Sequence, residues 1–355
     1  MSATMENLPD CTQSMGRSSA TSLQSNPQMD SITIFAQNYY VITLIVGVAL
    51  LIFGGHLLVE GSVAIATHLG ISKLVIGLTI VAFSTSSPEL AFNIIASMNG
   101  HSELCLGNIF GSNIANIGLV LGIGALICKL PVTGRIVKVE FPWLIFATLV
   151  VGVATLFGTL NMYWAIGFLC LFSFLMWTWF RIGNEDESQF AEQSKGAIPE
   201  VQCSTIGAWA MLLTGLVLLA LGGKATEVGA VTGALALGMS EIVVGGTVVA
   251  IATSLPEVVT TIIAAKKGHP DLAVGNVIGS NIFNILFVLP ITMLVNPISV
   301  SSDVWLYVVV MFVMTVLAWF LTMDRRIKPK EGGILVGLYI AFLAYVTLSA
   351  VIQTS

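Results

Sequence analysis

Charge is the scarcest property of this sequence. Of its 355 residues, 14 are Lys or Arg and 19 are Asp or Glu, so 9% are charged while 56% are hydrophobic. Soluble domains carry charge on about a quarter of their residues. The deficit argues against an ordinary soluble fold, and a net charge of −5 spread this thinly offers no patch for nucleic acid. Paired cysteines are missing too: Cys11, Cys105, Cys128, Cys170 and Cys203 form no CxxC, which argues against a disulfide framework or a zinc site. No nucleophile–base pair or phosphate loop can be picked out, so neither an enzyme nor a resident cofactor is expected.

Long polar stretches are also rare. Residues 1–35, rich in Ser, Thr, Gln and Asn, read as a disordered tail, and the linker at 182–204 holds the acidic cluster Glu185, Asp186 and Glu187. The rest is dominated by apolar runs of the roughly 20 residues that cross a bilayer as a helix. Five fall within 36–181, at about 36–57, 72–98, 103–127, 141–159 and 162–181. Five more fall within 205–355, at about 206–230, 240–266, 271–295, 303–323 and 332–352.

The two halves are related. Without a gap, residues 70–117 match residues 238–285 at 25 of 48 positions, a shift of 168. Five spans is an odd number, so the second half enters from the opposite side. The expected fold is an all-α integral membrane protein with ten transmembrane helices in two inverted five-helix repeats, its site near the midplane. With the N-terminus outside, twelve of the fourteen basic residues face inward, leaving only Arg17 and Lys224. Basic residues favour the cytoplasmic side, which predicts a cell-membrane protein with both termini external and the linker cytoplasmic.

Two motifs occur once in each half. The first is "STSSPEL" at 84–90 and "ATSLPEV" at 252–258. Pro88 and Pro256 lack an amide hydrogen, so the helix is predicted to kink and free carbonyls such as that of Ser84. Thr85, Ser86 and Glu89 share one helical face, as do Thr253, Ser254 and Glu257. A charged carboxylate at bilayer depth costs roughly several kcal/mol unless a counter-charge meets it, which marks both glutamates as functional candidates.

The second motif is "GNIFGSNIAN" at 107–116 and "GNVIGSNIFN" at 275–284. Asn108, Ser112 and Asn116 form a polar stripe at successive fourth positions. Gly107 and Gly111 offer a small-residue edge for close helix approach. Ser112, Asn116, Ser280 and Asn284 read as ligands, whereas Asn108 and Asn276 fit ligation and plain interhelical bonding equally well. Hydroxyls, amides, carboxylates and freed carbonyls are hard oxygen donors suited to calcium or sodium. Two acids match one divalent cation in charge, and proton binding is the competing way to neutralise them.

Together these motifs resemble the alpha-repeats of the calcium/cation antiporter superfamily, in its prokaryotic sodium/calcium exchanger branch. The resemblance implies ligation by Thr85, Ser86, Glu89, Ser112 and Asn116 with the carbonyl of Ala82. From the second repeat it implies Thr253, Ser254, Glu257, Ser280 and Asn284 with the carbonyl of Ala250. Many relatives have aspartate where this chain has Asn284, and the potassium-dependent branch relies on that acid. Potassium independence is therefore expected. The resemblance further implies that the first and sixth helices move against the rest.

The expected activity is sodium-driven calcium extrusion by alternating access, with calcium, sodium and the lipid bilayer as partners and a monomer sufficient. A calcium/proton antiporter on the same fold and a passive cation channel are the alternatives. His101 and His269 occupy matching turns and read as solvated. Glu60, Lys224 and Glu227 lie on the first and sixth helices, either snorkelling, paired or gate-related.

Overall fold

The computed structural model describes residues 39–183, 203–238, 248, 250–302 and 304–354. Residues 1–35 and the Glu185–Glu187 cluster lie outside that range. With few polar side chains to help, the backbone satisfies its own hydrogen bonds, and almost every described segment is helical.

The first half runs α1 (Tyr40–Leu69), α2 (73–98), α3 (102–127), α4 (Ile136–Thr155) and α5 (Met162–Gly183). The second runs α6 (Thr205–Ala236), α7 (Ala250–Thr253 and Leu255–Lys266), α8 (Pro270–Val295), α9 (Val304–Leu321) and α10 (Pro329–Thr354). Among the described residues, eight helices are long and apolar enough to cross a membrane, and the bent α2 makes a ninth. Because α7 is described continuously only from Ala250, residues 240–247 and 249 of the span expected at 240–266 lie outside the described residues.

Structural features recur at the 168-residue shift. Wide π-type turns begin at Asn116 in α3 and at Asn284 in α8, and such turns gather at functional positions. Gly100 and Gly268, both at φ 77°, close the turns after α2 and α7 in a left-handed conformation that suits glycine. The two-residue strand β1 (Leu130–Pro131) pairs with β4 (Arg326–Ile327), while β2 (Thr159–Leu160) pairs with β3 (Ile298–Ser299). Each tiny sheet thus joins one half to the other, and the two sheets lie at opposite ends of α4.

The buried apolar residues form two clusters. The larger is built from most of α2–α5 and α7–α10. The smaller holds α1 against α6, with one side on α2, α7 and α8. Gly47, Gly54 and Gly61 of α1 interlock with Gly215, Gly222 and Gly229 of α6. A Cβ at Gly54 would lie 2.9 Å from the Leu219 nitrogen, and one at Gly222 would lie 2.7 Å from the Leu51 nitrogen. Only glycine permits this backbone-to-backbone approach, so α1 and α6 pack as one unit beside the larger cluster.

Candidate cation site

The first motif bends α2 by 44° between 73–85 and 87–98. Pro88 supplies no amide hydrogen to the Ser84 carbonyl, and the Ser87 hydroxyl donates to that carbonyl instead at 2.8 Å. In α7 the chain breaks outright at Ser254. Leu255 starts the next helix with Pro256 as its second residue, which places Glu257 in its first turn. Both glutamates are buried, at 3% exposure for Glu89 and 0% for Glu257. No ion pair involves either one among the described residues.

Around them the two halves are stitched together. The Thr85 hydroxyl donates to Asn276 Oδ1 at 3.1 Å and lies 3.3 Å from Ser280 Oγ. Asn276 Nδ2 donates onward to Thr261 Oγ1 at 3.2 Å. With both ends of its amide bonded, Asn276 is a bridge between helices. Asn284 Nδ2 donates to Asn113 Oδ1 at 3.1 Å. That bond fixes the amide nitrogen and leaves Asn284 Oδ1 buried without a hydrogen-bond partner.

Other oxygens share this condition. Ser86 Oγ, Glu89 Oε2, Asn116 Oδ1, Ser254 Oγ and both carboxylate oxygens of Glu257 are buried without a hydrogen-bond partner. They come from α2, α3, α7 and α8. Buried polar atoms are nearly always bonded, because each orphan costs about 1–3 kcal/mol. Orphaned hard oxygens on four helices, two carboxylates included, with no basic side chain paired to them among the described residues, fit a cation.

Of the remaining expected positions, Ser112 and Thr253 line the same cavity as Glu89. Ala82, Ser112 and Ser280 are buried, and the Ala82 carbonyl oxygen lies 3.4 Å from Thr85 Oγ1, whose one hydroxyl hydrogen goes to Asn276. Thr253 is half-buried, and Ala250 begins the first piece of α7. A cavity of about 630 Å³ reaches Glu89, Asn108, Ser112 and Thr253. It is walled by Phe92, Leu104, Phe342 and Leu343, with Lys224 and Glu227 also on its lining.

Gly107 and Gly111 line this cavity, and no described residue lies within 4 Å of where a Cβ on either would sit. The close approach expected there occurs at their counterparts, where a Cβ on Gly279 would lie 2.5 Å from the Leu78 carbonyl. His101 is exposed as expected, but His269 is buried, with Nδ1 3.4 Å from Lys73 Nζ. Burial, then Lys73 and Lys267, push its pKa down to about 4. Of the charges on α1 and α6, Glu60 pairs with Lys267, just after α7, and Lys224 pairs with Glu227. The asparagines Asn113 and Asn281 escaped the sequence reading, although the "GSN" common to both motifs was the available signal.

The comparisons place this architecture. The sodium/calcium exchanger protein family profile matches residues 39–183 and 207–348. A protein of Alkalimonas amylolytica carrying the antiporter name CaxA is 36% identical over 86% of this chain and 96% of its own. Sodium/calcium exchanger MaX1 of Methanosarcina acetivorans is 31% identical over 84% of this chain and 96% of its own. Among solved structures, the sodium-calcium exchanger NCX_Mj soaked with sodium and strontium superposes with a TM-score of 0.73 at 31% identity. That match covers 87% of this chain and 99% of the other. The chain belongs to the sodium/calcium exchanger family.

Proposed function

We propose that this protein is a secondary antiporter that exchanges sodium for calcium, without potassium, at a site shared by both halves. The observation that carries this reading is the set of buried, unpartnered oxygens around Glu89 and Glu257, supplied by α2, α3, α7 and α8. Its side-chain ligands are Thr85, Ser86, Glu89, Ser112, Asn116, Thr253, Ser254, Glu257, Ser280 and Asn284, with the carbonyls of Ala82 and Ala250. Two carboxylates balance one calcium ion. Because sodium uses the same oxygens, each ion must leave before the other binds. MaX1 carries the exchanger name, and NCX_Mj crystals were soaked with sodium, strontium and calcium.

Ten helices in two inverted repeats fit the pairing of β1 with β4 and β2 with β3 at opposite ends of α4. Alternating access fits the separate α1–α6 unit, whose Glu60 is tied to Lys267 on the face away from the cavity. Both termini lie outside, the linker lies in the cytoplasm, and the sodium gradient drives calcium out.

Calcium-45 uptake into proteoliposomes under imposed sodium, potassium or proton gradients tests the reading. Sodium-driven uptake without potassium supports it. Uptake driven by pH alone would assign a calcium/proton antiporter, for which the same two unpaired carboxylates would carry protons. Uptake indifferent to every counter-ion would assign a channel.

A further inference from the structure

The cavity beside Glu89 has three charged residues in its described lining: Glu89, Lys224 and Glu227. Lys224 Nζ donates to both carboxylate oxygens of Glu227, at 2.9 and 3.0 Å. The lysine side chain is 68% exposed and the glutamate 26%, so the pair sits at the cavity's open edge. An exposed pair three residues apart on a helix contributes about 0–1 kcal/mol. Stability is thus a poor reason for two charges in a wall that is mostly apolar.

Position suggests a better one. Gly223, next to Lys224, packs against Pro256, whose ring lies 3.3 Å from where a Cβ would be. This turn of α6 therefore rests on the residue before Glu257. Lys224 and Glu227 line the same cavity as Glu89.

We propose that Glu227 is a staging site for incoming divalent cations, and that Lys224 is a built-in occupant which they displace. The proposal rests on the exchange reading above. With the ammonium on Glu227, that pair is neutral overall, and Glu89 is the other acid of the described lining. A monovalent ion gains little by replacing an ammonium of equal charge on the same carboxylate. A divalent ion brings twice the charge, so the exchange favours calcium over sodium at this edge. Lys224 then points away from the path, and the ion moves on to the deeper carboxylate.

The test compares Lys224→Gln, Glu227→Gln and the double variant with wild type. Two readouts are used: stopped-flow calcium association with purified protein, and sodium-driven calcium-45 uptake. Lys224→Gln is expected to speed calcium association and lower its KM by roughly threefold to tenfold, up to the lower end of what charge in a low-dielectric cleft produces. Glu227→Gln is expected to slow association, with KM moving more than kcat. The gain from Lys224→Gln disappears in the Glu227→Gln background. A gain that persists there, or no change in association for either single variant, overturns the proposal. If wild type binds calcium but shows no sodium-driven uptake, the exchange reading fails, and the association rates still decide the staging site.

Discussion

Asn113 and Asn281, equivalent positions 168 residues apart, meet between the halves: Asn113 Nδ2 donates to the Asn281 carbonyl at 3.3 Å. Asn113 Oδ1 also accepts from Asn284 Nδ2 at 3.1 Å. One amide thus joins the repeats and orients a proposed ligand. Asn113→Ala leaves the Asn284 nitrogen unbonded, at a cost of about 1–3 kcal/mol. The expected outcome is a lower Tm together with a raised calcium KM, read by thermal unfolding and by uptake.

Glu89→Gln and Glu257→Gln remove buried carboxylates that have no ion-pair partner among the described residues. Each variant is expected to fold, with a Tm in calcium-free buffer no lower than wild type, and to lose transport. Wild type gains about 2.7 kcal/mol from a ligand at one hundred times its Kd. The variants are expected to lose this calcium-dependent rise in Tm.

Glycines at matching motif positions are expected to respond differently. Gly279→Ala places a Cβ 2.5 Å from the Leu78 carbonyl, which is overpacking that costs about 1–3 kcal/mol. Gly111→Ala meets no described residue. Its effect on stability is expected to be small or favourable, because alanine suits a helix better by up to about 1 kcal/mol. Paired thermal unfolding curves check the contrast.

That contrast marks the limit of what the sequence could reveal. Both motifs, their 168-residue shift and the proline beside each glutamate were legible, because kinks and buried acids follow from local chemistry. The different surroundings of Gly111 and Gly279, or of His101 and His269, were not. Equivalent residues carry the same letters, yet one copy faces a cavity or solvent and the other is packed against α2. The glycine series Gly47, Gly54, Gly61 and Gly215, Gly222, Gly229 is itself related by 168. Its role emerged only from the approach of α1 to α6, because sequence spacing does not say which helix a glycine admits.

His269 ties pH to stability at the face away from the cavity. Its pKa in the folded protein is about 4, below the ordinary 6.5, owing first to burial and then to Lys73 and Lys267. The unfolded chain therefore binds the proton more readily. The contribution of neutral His269 is complete above pH 6.5 and is lost as pH falls toward 4. His269→Asn is expected to flatten this part of the profile of Tm against pH, leaving the slope from other groups.

The central claim is that one calcium ion is held by carboxylates of both halves. Long-wavelength anomalous diffraction from calcium-soaked crystals measures this directly. The account predicts a peak within about 2.3–2.6 Å of carboxylate oxygens of both Glu89 and Glu257, the usual calcium–oxygen range. A peak that contacts only one of the two glutamates, or none between them, would contradict it.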